Sequence, residues 1–120
     1  MDHLKNQLDE VFSALSHPVR RAIIEQVAVK ECTVNELAKP HKITRPAISQ
    51  HLRILLDASL IEQTKKGRFR MCHLNVRPLS VAFNWLVRYR VFWETLLDEI
   101  QEKVEADANL QEDNQNAGKT

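Results

Sequence analysis

Glycine is nearly absent from this chain: two of 120 residues, Gly67 and Gly118. A β-sandwich, a barrel with many tight turns and a glycine-rich phosphate loop would all need more. Cysteine is equally sparse. Cys32 and Cys72 form neither a CxxC pair nor a disulfide framework, so two reduced thiols are expected. No apolar run reaches the length of a membrane span, and Met-Asp-His-Leu-Lys does not read as a signal peptide. A cytoplasmic chain without membrane contact is therefore expected. His3, His17, His41, His51 and His73 are scattered without the spacing of metal ligands. A nucleophile elbow and a recognisable pair of catalytic carboxylates are also missing. The expectation is no enzyme, no metal site and no resident cofactor.

What the chain does contain is helix-forming Leu, Ala, Glu, Gln and Arg in quantity. At 120 residues one domain with a modest core is expected, over 1–106. Its formal net charge of +1 conceals a segregation. Between Thr44 and His73 lie Arg45, Arg53, Lys65, Lys66, Arg68 and Arg70 against only Asp57 and Glu62. From Glu94 onward the balance inverts, with Glu94, Asp98, Glu99, Glu102, Glu105, Asp107, Glu112 and Asp113 against Lys103 and Lys119. A basic centre and an acidic tail give one face for a polyanion and another that avoids it.

Leu4, Leu8, Val11, Phe12 and Leu15 form the apolar stripe of a first helix. Ser16-His17-Pro18 breaks it, with Ser16 as the expected N-cap of a second helix that runs to about Ala28. Thr33 to Leu56 reads as two short helices joined by a turn. Leu37 and Ala38 close one stripe, Pro40 stops it, and Ile43 bridges to Thr44, which caps the next helix. Ile48, Leu52, Leu55 and Leu56 share its buried side. Arg45, Ser49, Gln50 and Arg53 point away, as in a recognition helix entering the DNA major groove. Ile61–Thr64 and Phe69–Leu74 then read as a hairpin around Lys65-Lys66-Gly67-Arg68, Gly67 supplying the positive φ of the turn. Pro78 opens one long helix expected to reach Ala106, followed by a polar, disordered segment over 107–120.

Helix, helix, helix-turn-helix, charged hairpin, long helix: this order predicts a mainly α protein with a small β-hairpin. The architecture is a winged helix-turn-helix with N- and C-terminal dimerisation helices. Candidate contacts to double-stranded DNA are Thr44, Arg45, Pro46, Ala47, Ser49, Gln50, His51 and Arg53 from the helix. The hairpin adds Lys65, Lys66, Gly67, Arg68 and Arg70. Gln50, Ser49 and Arg45 suit base edges, Gln through adenine and Arg through guanine. Arg53 reads a base, holds a phosphate or stays solvated, and His51 either faces the groove or packs the turn. Leu4, Leu8, Val11, Leu86, Tyr89, Trp93, Leu96, Leu97, Ile100 and Val104 are the candidate interface of a homodimer. The alternative is that Phe83, Trp85 and Phe92 cap the core of a monomer.

Three separated motifs carry a resemblance. Ala14-Leu15-Ser16-His17-Pro18-Val19-Arg20-Arg21 resembles the opening of the ArsR/SmtB bacterial repressors. The stretch Pro46-Ala47-Ile48-Ser49-Gln50-His51-Leu52-Arg53-Ile54-Leu55 resembles their recognition helix, and Gly67 through Leu74 their wing. The resemblance implies a homodimer that binds an operator near its own promoter and represses transcription until a signal releases it. It departs from the family at the metal sites. Thr33, Val34 and Asn35 stand where many members carry Cys-Val-Cys, with Cys32 one place earlier, and the last helix has no His. Lys42 occupies a turn position often filled by Gly. Pro78-Leu79-Ser80 and Tyr89 through Trp93 resemble a branch lacking those metal motifs, whose inducers are often unknown. Two rivals stay open: a winged helix used only for protein contacts, and a repressor that responds to a thiol or metal event.

Overall fold

The computed structural model describes residues 2–117, with side chains described for 6–112. In chain order the elements are α1 (Asp2–Leu15), α2 (Pro18–Val29), β1 (Cys32–Thr33), α3 (Val34–Ala38) and α4 (Arg45–Asp57). The hairpin β2 (Ile61–Lys66) and β3 (Phe69–Leu74) follows, then α5 (Arg77–Val87) and α6 (Arg90–Ala117). The chain divides into two compact units, the first ending at Asn84 and the second beginning at Trp85.

The first unit is held by one core. Val11 and Ala14 of α1, Ile23 and Val27 of α2, Leu37 of α3, and Leu52 and Leu55 of α4 meet Leu60, Ile61 and Cys72 there. Val11, a candidate for the dimer interface, is wholly enclosed at 0% exposure. It therefore belongs to the protomer's own core, since nothing of it remains to offer a partner. Leu8 is half-buried against the same core. The side chain of Leu4 lies outside the described residues.

The corner between α1 and α2 departs from expectation. The N-cap of α2 is His17, not Ser16: His17 Nδ1 accepts from the Val19 amide at 3.1 Å. Ser16 instead donates its hydroxyl backward to the Ser13 carbonyl at 2.6 Å. Arg20 Nε and Arg21 Nη1, each at 2.7 Å, take the carbonyls of Ala14 and Leu15. The last carbonyls of a helix have no partner within it, and here cations and a hydroxyl supply them. Pro18 fits the first turn of α2 because an amide there would have no helical acceptor.

Thr33 and Glu36 cap α3 reciprocally. The Glu36 amide donates to Thr33 Oγ1 at 3.2 Å, and the Thr33 amide to Glu36 Oε1 at 3.1 Å. At the far end of α4, Ser59 adopts φ +58°. The Ser59 and Leu60 amides, both at 3.0 Å, reach back to the Leu56 and Leu55 carbonyls. This is the left-handed helix ending usually given to glycine, and it turns the chain into β2.

The hairpin is longer than expected, because Lys65 and Lys66 continue β2 and leave Gly67-Arg68 as a two-residue turn. Gly67 has φ +62°, and Arg68 is not among the positive-φ residues. A positive φ at the first turn position alone is the type II′ pattern, whose twist suits a hairpin. A third strand was not foreseen: β1 pairs with β3 to give the order β1-β3-β2. A strand of two residues is too short to show alternation.

The long C-terminal helix is also two. Arg88, Tyr89 and Phe92 amides bond three residues back, to Trp85, Leu86 and Tyr89, at the junction between α5 and α6. These tightened bonds end one helix and begin the next. No Pro or Gly announces the break. The rings of Trp85 and Tyr89 lie 5.1 Å apart and those of Tyr89 and Phe92 6.4 Å apart, so aromatic packing occupies the corner. Helix α6 then runs through the polar segment to Ala117, where disorder was expected beyond Ala106. No helix breaker occurs between Arg90 and Ala117, which permits that continuation.

Candidate nucleic-acid interface

Helix α4 starts at Thr44, whose Oγ1 accepts from the Ala47 amide at 3.3 Å. That bond uses a lone pair and leaves the hydroxyl proton available to an outside acceptor. Pro46 sits in the first turn, where it costs no hydrogen bond. Ile48, Leu52 and Leu55 anchor the helix inward, while Arg45, Pro46, Ser49, Gln50 and Arg53 are exposed. Ala47 is half-buried at the edge of that face. Arg53 pairs with Asp57 one turn on at 3.4 Å, both largely solvated. Such a pair contributes about 0–1 kcal/mol and competes only weakly with another anion.

On the wing, Lys65, Lys66, Gly67, Arg68 and Arg70 are all exposed. Lys66 is not an independent charge: its Nζ lies 2.8 Å from Glu31 Oε2. This contact holds the Glu31 carboxyl below its usual range. It also ties the strand β2 to the start of β1. Phe69, beside the turn, is 60% exposed among these cations. Phe69 is not among the candidate DNA contacts above, although an aromatic at the tip of a basic hairpin is a visible signal.

His51 is a groove candidate that the structure turns inward. It is half-buried, and its Nδ1 lies 3.1 Å from Arg20 Nη1. Its ring centroid is 4.3 Å from that of His17. Arg20, which the sequence offers only within the Ala14–Arg21 motif, is the one buried charged residue among the described residues. Burial pushes the His51 pKa down, with His17, Arg20 and His41 adding to the effect.

The thiols face one another across the sheet, Cys32 being the register partner of Cys72. Cys32 and Cys72 are both buried. Burial pushes both thiols upward, and an amide donated by Gln63 to Cys72 Sγ at 3.4 Å opposes this at Cys72. Among the described residues no three His, Cys, Asp or Glu side chains gather so as to hold a metal ion.

A capped helix that presents Arg, Ser and Gln beside a basic β-hairpin defines a winged helix-turn-helix. Comparison with known proteins gives the family. Residues 17–63 match the pattern of the family described as "Bacterial regulatory protein, arsR family". The transcriptional repressor SdpR of Bacillus subtilis is 34% identical over 82 residues, 68% of this chain and 91% of that one. The HTH-type transcriptional regulator Rv2034 of Mycobacterium tuberculosis is 36% identical over 89 residues, 74% of this chain and 80% of its own length. Among solved structures, an ArsR-like transcriptional regulator from Rhodococcus sp. RHA1 superposes with a TM-score of 0.65 at 28% identity. That match covers 82% of this chain and 92% of the other. The chain belongs to the ArsR family and is a winged helix-turn-helix transcriptional regulator. Its relatives are regulators rather than enzymes, and no helix among the described residues is long and apolar enough to cross a membrane.

Proposed function

We propose that the chain acts as a homodimeric repressor that binds an inverted-repeat operator in double-stranded DNA. The observation that carries this reading is the outward face of α4. Arg45, Ser49 and Gln50 are exposed and have the donors and acceptors that base edges require. Arg68, Arg70 and Lys65 on the wing have no ion-pair partner among the described residues and suit phosphates. Each protomer supplies one such helix. In a two-fold dimer the two helices read half-sites about 34 Å apart. The reading assigns the protein no catalytic role and no membrane contact, and it puts the protein in the cytoplasm.

The exposed Leu86, Tyr89, Leu96, Leu97, Ile100 and Val104, with half-buried Trp93, support the dimer. Leu8 of α1, half-buried, is a further candidate interface residue on the first unit. An inducer of unassigned chemistry releases the operator. Fluorescence anisotropy on the protein's own upstream promoter, against scrambled duplex and across salt, tests the reading. Tight, promoter-preferring binding with a steep salt dependence is expected. Equal, weak binding to both duplexes would instead favour a winged helix that pairs with an acidic protein.

A further inference from the structure

Arg20 is not among the candidate DNA contacts, and only 9% of it is exposed. A guanidinium buried this far is stable only if its donors are well used. Its Nε donates to the Ala14 carbonyl at 2.7 Å and its Nη2 to the Ser13 carbonyl at 3.1 Å. Its Nη1 lies 3.1 Å from His51 Nδ1. One side chain thus joins the last turn of α1 to the middle of α4. Arginine has donors only, so His51 Nδ1 is the acceptor. The imidazole is therefore neutral, with its proton on Nε2. His17 packs on the same ring and is itself held by the Val19 amide.

We propose that Arg20 and His51 form a latch that fixes the rotation of α4 about its own axis, so aiming Ser49, Gln50 and Arg53, and that the latch opens when His51 takes up a proton. The inference rests on α4 being the helix that reads DNA. Arg20 and His51 are positioning residues: neither touches a base. Opening needs only a proton from solvent. Once it binds Nδ1, that nitrogen is a donor facing the Arg20 donor, and two positive charges adjoin. The groups that bear electrostatically on His51 are His17 from the α1–α2 corner, Arg20 from α2 and His41 from the turn before α4. All three are bases, so none rewards the added charge.

The fold favours neutral His51, whose pKa lies below the ordinary 6.5. Stability is therefore fully present above about 6.5 and declines as pH falls toward the lowered folded value, levelling off below it.

The test uses the full chain, its upstream promoter duplex and three variants. Arg20→Met removes the donors; His51→Asn keeps an acceptor near the Nδ1 position but does not titrate; His51→Ala removes the acceptor. At neutral pH, R20M is expected to bind the promoter about tenfold more weakly with an unchanged salt slope, because no phosphate contact is lost. H51N is expected to bind like wild type. Between about pH 7.5 and 5.5, wild type is expected to lose several-fold in affinity relative to H51N. Ring nitrogen shifts of His51, read without DNA, are expected to show the Nε2–H tautomer in wild type and its loss of preference in R20M.

Folded R20M with wild-type affinity would overturn the latch, as would identical acid responses of H51N and wild type. Should R20M fail to fold, folded H51A with wild-type affinity would overturn it equally. A wild type that does not prefer its promoter would overturn the DNA reading and the latch's role in it. The tautomer measurement would still report the Arg20–His51 bond, so the two failures are distinguishable.

Discussion

The two units of this chain treat their apolar residues in opposite ways. Up to Asn84, Ile23, Leu37, Ile48, Leu55 and Leu60 are completely enclosed by their own chain. From Trp85 onward, Phe92 is 81% exposed and Leu96, Leu97, Ile100 and Val104 are each about half exposed or more. Trp93, Leu97, Ile100 and Val104 recur at steps of four, three and four. That spacing lays a narrow seam along α6, of the kind that a second helix covers. The first unit has the interior of a finished domain, whereas the second presents apolar surface that water tolerates poorly. Self-sufficient burial and unfinished burial thus coincide with the two tasks proposed for this chain, DNA reading and pairing.

Unequal burial makes the same kind of truncation cost different amounts. Leu55→Ala, at a site with 0% exposure, is expected to lower unfolding free energy by about 2–5 kcal/mol. Val104→Ala, measured at a concentration where protomers are separate, should change it by less than about 0.5 kcal/mol. Denaturant titration of both variants checks this, and equal losses would erase the contrast.

Next in size is the pairing seam. Leu97→Glu with Ile100→Glu is expected to give a sedimenting monomer that keeps the circular dichroism of the folded first unit. Its promoter affinity should fall about 100-fold or more, because the second half-site is no longer tethered. Unchanged affinity would mean that one protomer suffices.

Gln50→Ala and Arg45→Ala are expected to cost about 1–3 kcal/mol each in promoter binding and to relax base preference. Binding to a panel of single-base operator variants reads this directly. Smaller still are the wing effects. Arg68→Ala should weaken all duplexes alike and reduce the salt slope by about 1. Lys66→Ala should do less, since Lys66 Nζ must first give up Glu31 at 2.8 Å. A larger loss at Lys66 than at Arg68 would mean that the Glu31 pair breaks without cost.

Much of the architecture could be read locally. Thr44 before Arg45-Pro46 marks a helix start, because a hydroxyl and a proline each suit that turn. Ile48, Leu52 and Leu55 mark the buried side of α4 by their spacing, and what they leave over is the candidate reading face. Gly67 marks the hairpin. Each signal depends on neighbours within a turn or two of the chain. The break at Arg88 and Tyr89 was not legible, because the aromatic packing that shapes it has no breaker residue to announce it. Nor was the burial of Val11, since a stripe shows which residues seek cover but not what covers them.

The sequence by itself determined the succession from α1 to the hairpin apart from β1, the polar face of α4 and the positive wing, because periodicity, caps and turn residues act at short range. Only the tertiary structure decided that His51 faces Arg20 rather than the groove, and that Lys66 is held by Glu31. It also decided that Cys32 lies opposite Cys72. These pairs are 31, 35 and 40 positions apart. No local propensity connects residues so distant; packing of the core brings them within reach, and only then do their charges and hydrogen bonds acquire partners.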